Sequence, residues 1–143
     1  MVVAFVNDLS TKIESMKSQK IEPYTYIVEK GKIKEFANAI GDLKDDYLNG
    51  KKTPPTFSTV IELWGSTSFL AEKLGLNMSK VLHGEQGYEY LGEINAGDEI
   101  TVSTTIENAY TKASMNFIII KKEFINQRNE AVLISRSTII ERH

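Results

Sequence analysis

Few of the usual reactive groups are available to this chain. Its 143 residues include no cysteine and only two histidines, His83 and the terminal His143. The missing thiols remove disulfides, thiolate nucleophiles, Cys-ligated zinc and Fe–S clusters together. An internal imidazole can come only from His83, and zinc takes three or four ligands, so no metal centre is expected. Glu85, Glu89, Glu93, Asp98 and Glu99 do not supply one, because spacing on a strand divides them between two faces. The pairs Lys51-Lys52 and Lys121-Lys122 either solubilise the surface or meet phosphates or an acidic partner. A further source of polarisation is a helix start. Free N–H groups at Thr56 to Thr59 would point along a helix dipole towards a carbonyl.

The helix behind that start is the longest apolar element. From Thr56 to Leu74, Phe57, Val60, Ile61, Trp64 and Ala71 recur at helical spacing, and Leu63, Leu70 and Leu74 form a second row. Pro54-Pro55 bars backward extension, Thr56 offers a capping hydroxyl, and Gly75 offers a left-handed stop. Two apolar rows imply a helix wrapped on most sides, with Glu62, Ser66 and Lys73 as its polar remainder.

The other elements must do the wrapping. Residues 2–17 carry an amphipathic pattern and read as a helical extension over 1–20. Tyr24–Val28 reads as a short strand, Lys32–Ile40 as a helix ending at Gly41, and Asp42–Lys52 as a loop. Val81–Ile94 has strand formers interrupted by Gly84, Gly87 and Gly92, marking bulges or close approach. Ile100–Ile106 alternates cleanly, Thr111–Ser114 turns the chain, and 115–125 and 131–140 pair through the Asn126–Asn129 loop. Met115–Ile125 is apolar enough at Phe117–Ile120 to predict cover on both faces.

The expected fold is α+β: a hot-dog arrangement with an antiparallel sheet of about five strands curled round the helix at 56–74. One domain over 1–143 suits the length. A single sheet covers only half the helix, so a dimer is expected. A net charge of −2 with 41% hydrophobic residues leaves no basic footprint for nucleic acid. No apolar run has the length to span a bilayer, and the N-terminus lacks a basic n-region. A cytoplasmic location is the expectation.

Four stretches carry a resemblance: GKIKEFANAIGD (31–42), PPTF (54–57), LHGEQGYEYLGEINAGDEIT (82–101) and SRSTII (135–140). Together they resemble the N-terminal MaoC-type dehydratase family, or fatty-acid-synthase-type dehydratases, across about residues 24–142. The resemblance implies reversible loss of water from a β-hydroxyacyl group carried on CoA or acyl carrier protein, without a further cofactor. Such an elimination needs an acid or base near C2 and C3 and donors to the thioester oxygen.

In catalytic relatives a D-x-N-P-x-H run follows a Gly. Here Gly41-Asp42 fits its start, Lys44 and Asp45 replace Asn-Pro, and Tyr47 stands where the His belongs. A phenol with a pKa near 10 is a weak base at neutral pH. Asp42 is then either an acid or anchor, or a cap of the helix-to-loop junction. Tyr47 is either a donor to substrate or a packed aromatic. His83 and Gln86 either line the acyl–pantetheine channel or sit as ordinary strand residues. Pro55, Thr56 and Phe57 complete the substrate-binding candidates at the helix start. These readings imply a subunit that shapes the acyl tunnel while a MaoC-like hot-dog partner brings the Asp–His pair. The alternatives are a non-enzymatic acyl-thioester-binding homodimer and, ranked last, a hot-dog thioesterase using Asp42.

Overall fold

A computed structural model describes residues 12–65 and 70–143. Helix α1 is seen over 12–17; the rest of the expected N-terminal helix, residues 2–11, lies outside the described residues. Then come β1 (Tyr24–Ile27), α2 (Lys30–Ile40), the single turn α3 (Asp45–Leu48), α4 (Ser58–Gly65) and α5 (Leu70–Lys73). A 3₁₀ turn at Met78–Lys80 leads into β2 (Val81–Tyr90), β3 (Glu99–Lys112), β4 (Met115–Ile125) and β5 (Ala131–Arg142).

The five strands form one antiparallel sheet in the order β1-β3-β4-β5-β2. β3, β4 and β5 are a meander because tight turns join them, as expected of consecutive strands. β1 and β2 are added at the two edges. A bulge between Ile106 and Asn108 shifts the phase of β3. Ile100 and Val102 therefore face inward before it, and Ala109 does so after it. Asn108 Oδ1 accepts the Ala109 N–H at 2.9 Å, satisfying the amide that the bulge frees.

That phase change divides the core. Near the start of β3, Ile100 and Val102 pack with Val28, Ile33, Phe57, Ile61, Phe124 and Leu133. Beyond the bulge, Ala109 joins Ile118, Ile120, Ile139, Leu74 and Leu76, and α1 adds Ile13 and Met16. β4 alternates strictly through its first half, with Asn116, Ile118 and Ile120 buried. Phe117 and Ile119 are only half-covered, so the expectation of cover on both faces fails. Phe117 instead stacks on Tyr110 of the neighbouring strand, with centroids 5.1 Å apart.

The central helix differs from its expectation in two ways. It begins at Ser58, not Thr56. Before it, Pro54 and Thr56 carbonyls accept the Phe57 and Thr59 N–H groups, each at 3.0 Å, in a tight turn. The Thr56 carbonyl also takes the Thr59 hydroxyl at 2.7 Å. Nor is α4 wrapped on most sides. Leu63 is 56% and Trp64 66% exposed, because this sheet covers only the face bearing Ser58 and Ile61. Lys32 of α2 places its ammonium 5.1 Å from the Trp64 ring centroid, the sole cation–π partner of that ring among the described residues. Glu62, part of the helix's polar remainder, is largely enclosed and pairs with Lys122 of β4 at 3.5 Å.

Candidate active site

At the start of α4 the chain opens a groove of about 260 Å³. One wall is the 52–58 segment, with Pro54, Pro55, Phe57 and Ser58; the other is Tyr90 and Gly92–Asn95. The walls are tied together. Tyr90 donates its phenol to the Pro55 carbonyl at 2.6 Å, and Thr53 donates its hydroxyl to the Ile94 carbonyl at 2.9 Å. Phe57 is fixed from behind by an edge-on contact with Phe36, centroids 5.8 Å apart. Gly92 lets the wall pass close to β5, since a Cβ there would stand 3.3 Å from Val132 Cγ1.

The helix start supplies fewer donors than expected. Phe57 and Thr59 amides are engaged by the turn, leaving those of Thr56 and Ser58 outside its bonding. Pro55 and Phe57 line the groove as the sequence predicts. The other candidate residues, Thr56 included, are not among its lining residues. Asp42 follows the left-handed Gly41 (φ 73°) and gives its N–H to the Ala37 carbonyl at 3.0 Å, closing α2. Tyr47 is half-buried in α3, with Lys44 Nζ 5.5 Å from its ring centroid. His83 is exposed on the edge strand β2, opposite Ile139. Gln86, also exposed, donates to Ser135 Oγ at 2.9 Å.

A second set of polar groups adjoins the groove. Ser58 lines it and is only 2% exposed. One helical turn on, Glu62 is directed to the same side of α4. Facing them are Lys122 of β4, Tyr24 of β1 and Tyr88 of β2. Gly65 permits the approach of β1: a Cβ on it would clash with the ring of Tyr24 at Cε2. Burial, and then the Glu62 charge, hold the Tyr24 phenol far above its ordinary pKa of 10, so it stays protonated. Burial also raises the Tyr88 phenol; the nearby Ser58 hydroxyl works against that, and Glu62 adds to it. Ser58 Oγ nonetheless has no partner in hydrogen-bonding geometry among the described residues, and neither have Tyr24 Oη and Glu62 Oε1. Sequence reasoning misses this set because its members come from three strands and one helix. The one local signal is Glu62, a carboxylate set among Val60, Ile61, Leu63 and Trp64.

A curled antiparallel sheet in the order 1-3-4-5-2 over a central helix defines the hot-dog class. The family described as the FAS1-like dehydratase domain region matches residues 15–135, and the chain belongs to that family, a MaoC-type dehydratase lineage. It is 30% identical over 128 residues to a UPF0336 protein of Streptomyces griseus, covering 82% of this chain and 85% of that one. Among solved structures it is similar to the ChsH1-ChsH2 complex of Mycobacterium tuberculosis, with TM-score 0.75 and 17% identity over 96% of this chain and 92% of that one. It is also similar to HadBC, a 3R-hydroxyacyl-ACP dehydratase complex of the same organism. There the TM-score is 0.66 at 15% identity, over 87% of this chain and 98% of that one. At those identities the likeness is one of fold.

Proposed function

We propose that this chain is a cytoplasmic subunit of an (R)-3-hydroxyacyl-CoA or acyl-carrier-protein dehydratase, running also in reverse as an enoyl-thioester hydratase. It shapes the acyl-binding groove, and a MaoC-like hot-dog partner supplies the Asp–His pair. One observation carries the reading. The groove at the α4 start is formed, yet its described lining holds no imidazole, and Tyr47 occupies the loop position of the expected His. Elimination across C2 and C3 needs a group that accepts a proton at neutral pH, and a phenol does not. What this chain can offer is position: Pro55, Phe57 and Tyr90 hold the acyl–thioester segment, and the Ser58 amide meets the developing charge on its oxygen.

Assembly with a second hot-dog chain has support in two features. β2 is an edge strand with only β5 beside it among the described residues, and it carries neither proline nor lysine between Val81 and Tyr90, two of the devices that blunt edges. Leu63 and Trp64 of α4 are also left open. The two complexes named above are heteromeric by their names, in keeping with a partnered role.

The test is hydration of crotonyl-CoA by the isolated chain and by the chain co-expressed with a MaoC-like subunit bearing D-x-N-P-x-H. The isolated chain is expected to be inactive and the pair active. Rapid hydration by the isolated chain, abolished in Asp42→Ala, overturns the reading.

A further inference from the structure

The polar set beneath α4 is costly as it stands. A buried donor or acceptor without a partner forfeits its hydration with nothing in return, and such atoms are rare enough in folded proteins to call for an occupant. Three such atoms adjoin one another: Ser58 Oγ and Glu62 Oε1 stand one turn apart on α4, and Tyr24 Oη of β1 belongs to a phenol that packs against Gly65 and feels the Glu62 charge. Their chemistry restricts what fits. A cation is disfavoured, because the only carboxylate in the set already faces the Lys122 ammonium through Oε2 at 3.5 Å. Among the described residues no group of three His, Cys, Asp or Glu side chains is placed to hold a metal. An anion is opposed by Glu62 itself. A neutral group that both donates and accepts suits all three: its O–H donates a hydrogen bond to Glu62 Oε1, and its oxygen accepts from the Tyr24 and Ser58 hydroxyls.

We propose that Ser58, Tyr24 and Glu62 form a binding site for one small hydroxyl group at the inner wall of the groove. The occupant is either a fixed water or the alcohol of a ligand lying in that groove. Because Ser58 both lines the groove and belongs to the set, a bound chain bearing an O–H can exchange its hydroxyl for the water. Lys122 is a positioning residue, engaging Glu62 Oε2 at 3.5 Å so that Oε1 is the oxygen left to accept. In the ligand arm the proposal rests on the acyl-thioester reading above; in the water arm it does not.

The experiment uses the removal of single hydroxyls. Tyr24→Phe keeps the ring against Gly65 and deletes only Oη; Ser58→Ala deletes only Oγ. If the set is occupied, each change breaks a bond, and the midpoint of thermal unfolding falls by about 2–4 °C. If it is empty, each change removes an unpaired polar atom, and the midpoint rises or stays. A rise or no change in both variants overturns the proposal. Calorimetric titration with 3-hydroxybutyryl-CoA and with butyryl-CoA then identifies the occupant. A preference of about tenfold for the hydroxylated thioester, lost in Tyr24→Phe, assigns the site to the ligand alcohol. Equal binding together with lowered midpoints assigns it to water. Binding of neither thioester sinks the acyl-groove reading, while the midpoints still decide this one.

Discussion

Glu141 of β5 is a carboxylate that the fold hides from water, 4% exposed, while keeping it charged. The Asn77 N–H reaches Oε2 at 2.7 Å, and Asn116 Nδ2 and Lys12 Nζ reach Oε1 at 2.9 and 3.0 Å. Thr111 in turn donates to Asn116 Oδ1 at 2.9 Å. Burial alone would raise the pKa of Glu141. The Asn77, Asn116 and Lys12 contacts outweigh it and hold the group below its ordinary 4.5. A folded pKa below the unfolded one stabilises the fold fully above the ordinary value, and the benefit is lost as pH falls through the folded value. Glu141→Gln is therefore expected to cost about 2–4 kcal/mol at neutral pH. The gap between variant and wild type should close on acidification below the ordinary carboxylate range. Urea unfolding across that range checks both the size and the sign. None of this is legible in the sequence, where Glu141 simply follows the last residue of a strand pattern. Its partners lie on α1, on the turn before β2 and on β4, so the interaction exists only after the sheet has formed.

Among elements, the strands are the most readable, since alternation reports directly which face is buried. Gly84 within a strand pattern implies a bulge or a place of close approach, and both features are present. The register shifts between His83 and Glu85, and a Cβ at Gly84 would come within 2.8 Å of Ile140 Cδ1. The β3–β4 turn lies where the sequence puts it, but its cost is visible only in the backbone. Ala113 and Ser114 both have left-handed backbone, with φ of 51° and 59°, where a Cβ is unfavourable. The double substitution Ala113→Asn, Ser114→Gly supplies the residue types that such a turn favours and should stabilise the protein by about 0.5–1 kcal/mol. Equilibrium denaturation with an unchanged m-value is the check. The central helix is less readable, for a physical reason. Composition tells how apolar a helix is, but which residues are covered depends on the curvature of the sheet and on chains that lie outside this one. Trp64 satisfies the helical spacing of a core residue and is open to solvent all the same. The candidate site divides in the same way. Pro55 and Phe57 are legible because Pro-Pro and the helix start are local signals, whereas Tyr90 and the Ser58–Tyr24–Glu62 set are assembled across the fold.

At the scale of the whole molecule, two groups of exposed apolar residues among those described lie where the sheet stops covering α4, at Leu63 and Trp64, and along the edge strand β2. Leu82 is 44% and Tyr90 55% exposed on β2. If pairing uses this edge, Leu82→Glu should halve the mass seen by analytical ultracentrifugation at micromolar concentration while leaving the far-ultraviolet circular dichroism unchanged. A mass that stays at the dimer value would move the interface elsewhere.

The Tyr90–Pro55 hydrogen bond then acquires a meaning of its own. Tyr90 is the last residue of the edge strand, and through that 2.6 Å contact it holds the far lip of the groove. A chain docking on the strand would thus set the width of the cleft, and occupancy of the cleft would steady the strand. The two events become linked equilibria. By reciprocity, whatever factor the partner adds to ligand affinity the ligand returns to the partner. Dilution that separates the subunits would loosen the ligand with them, making apparent affinity a function of protein concentration.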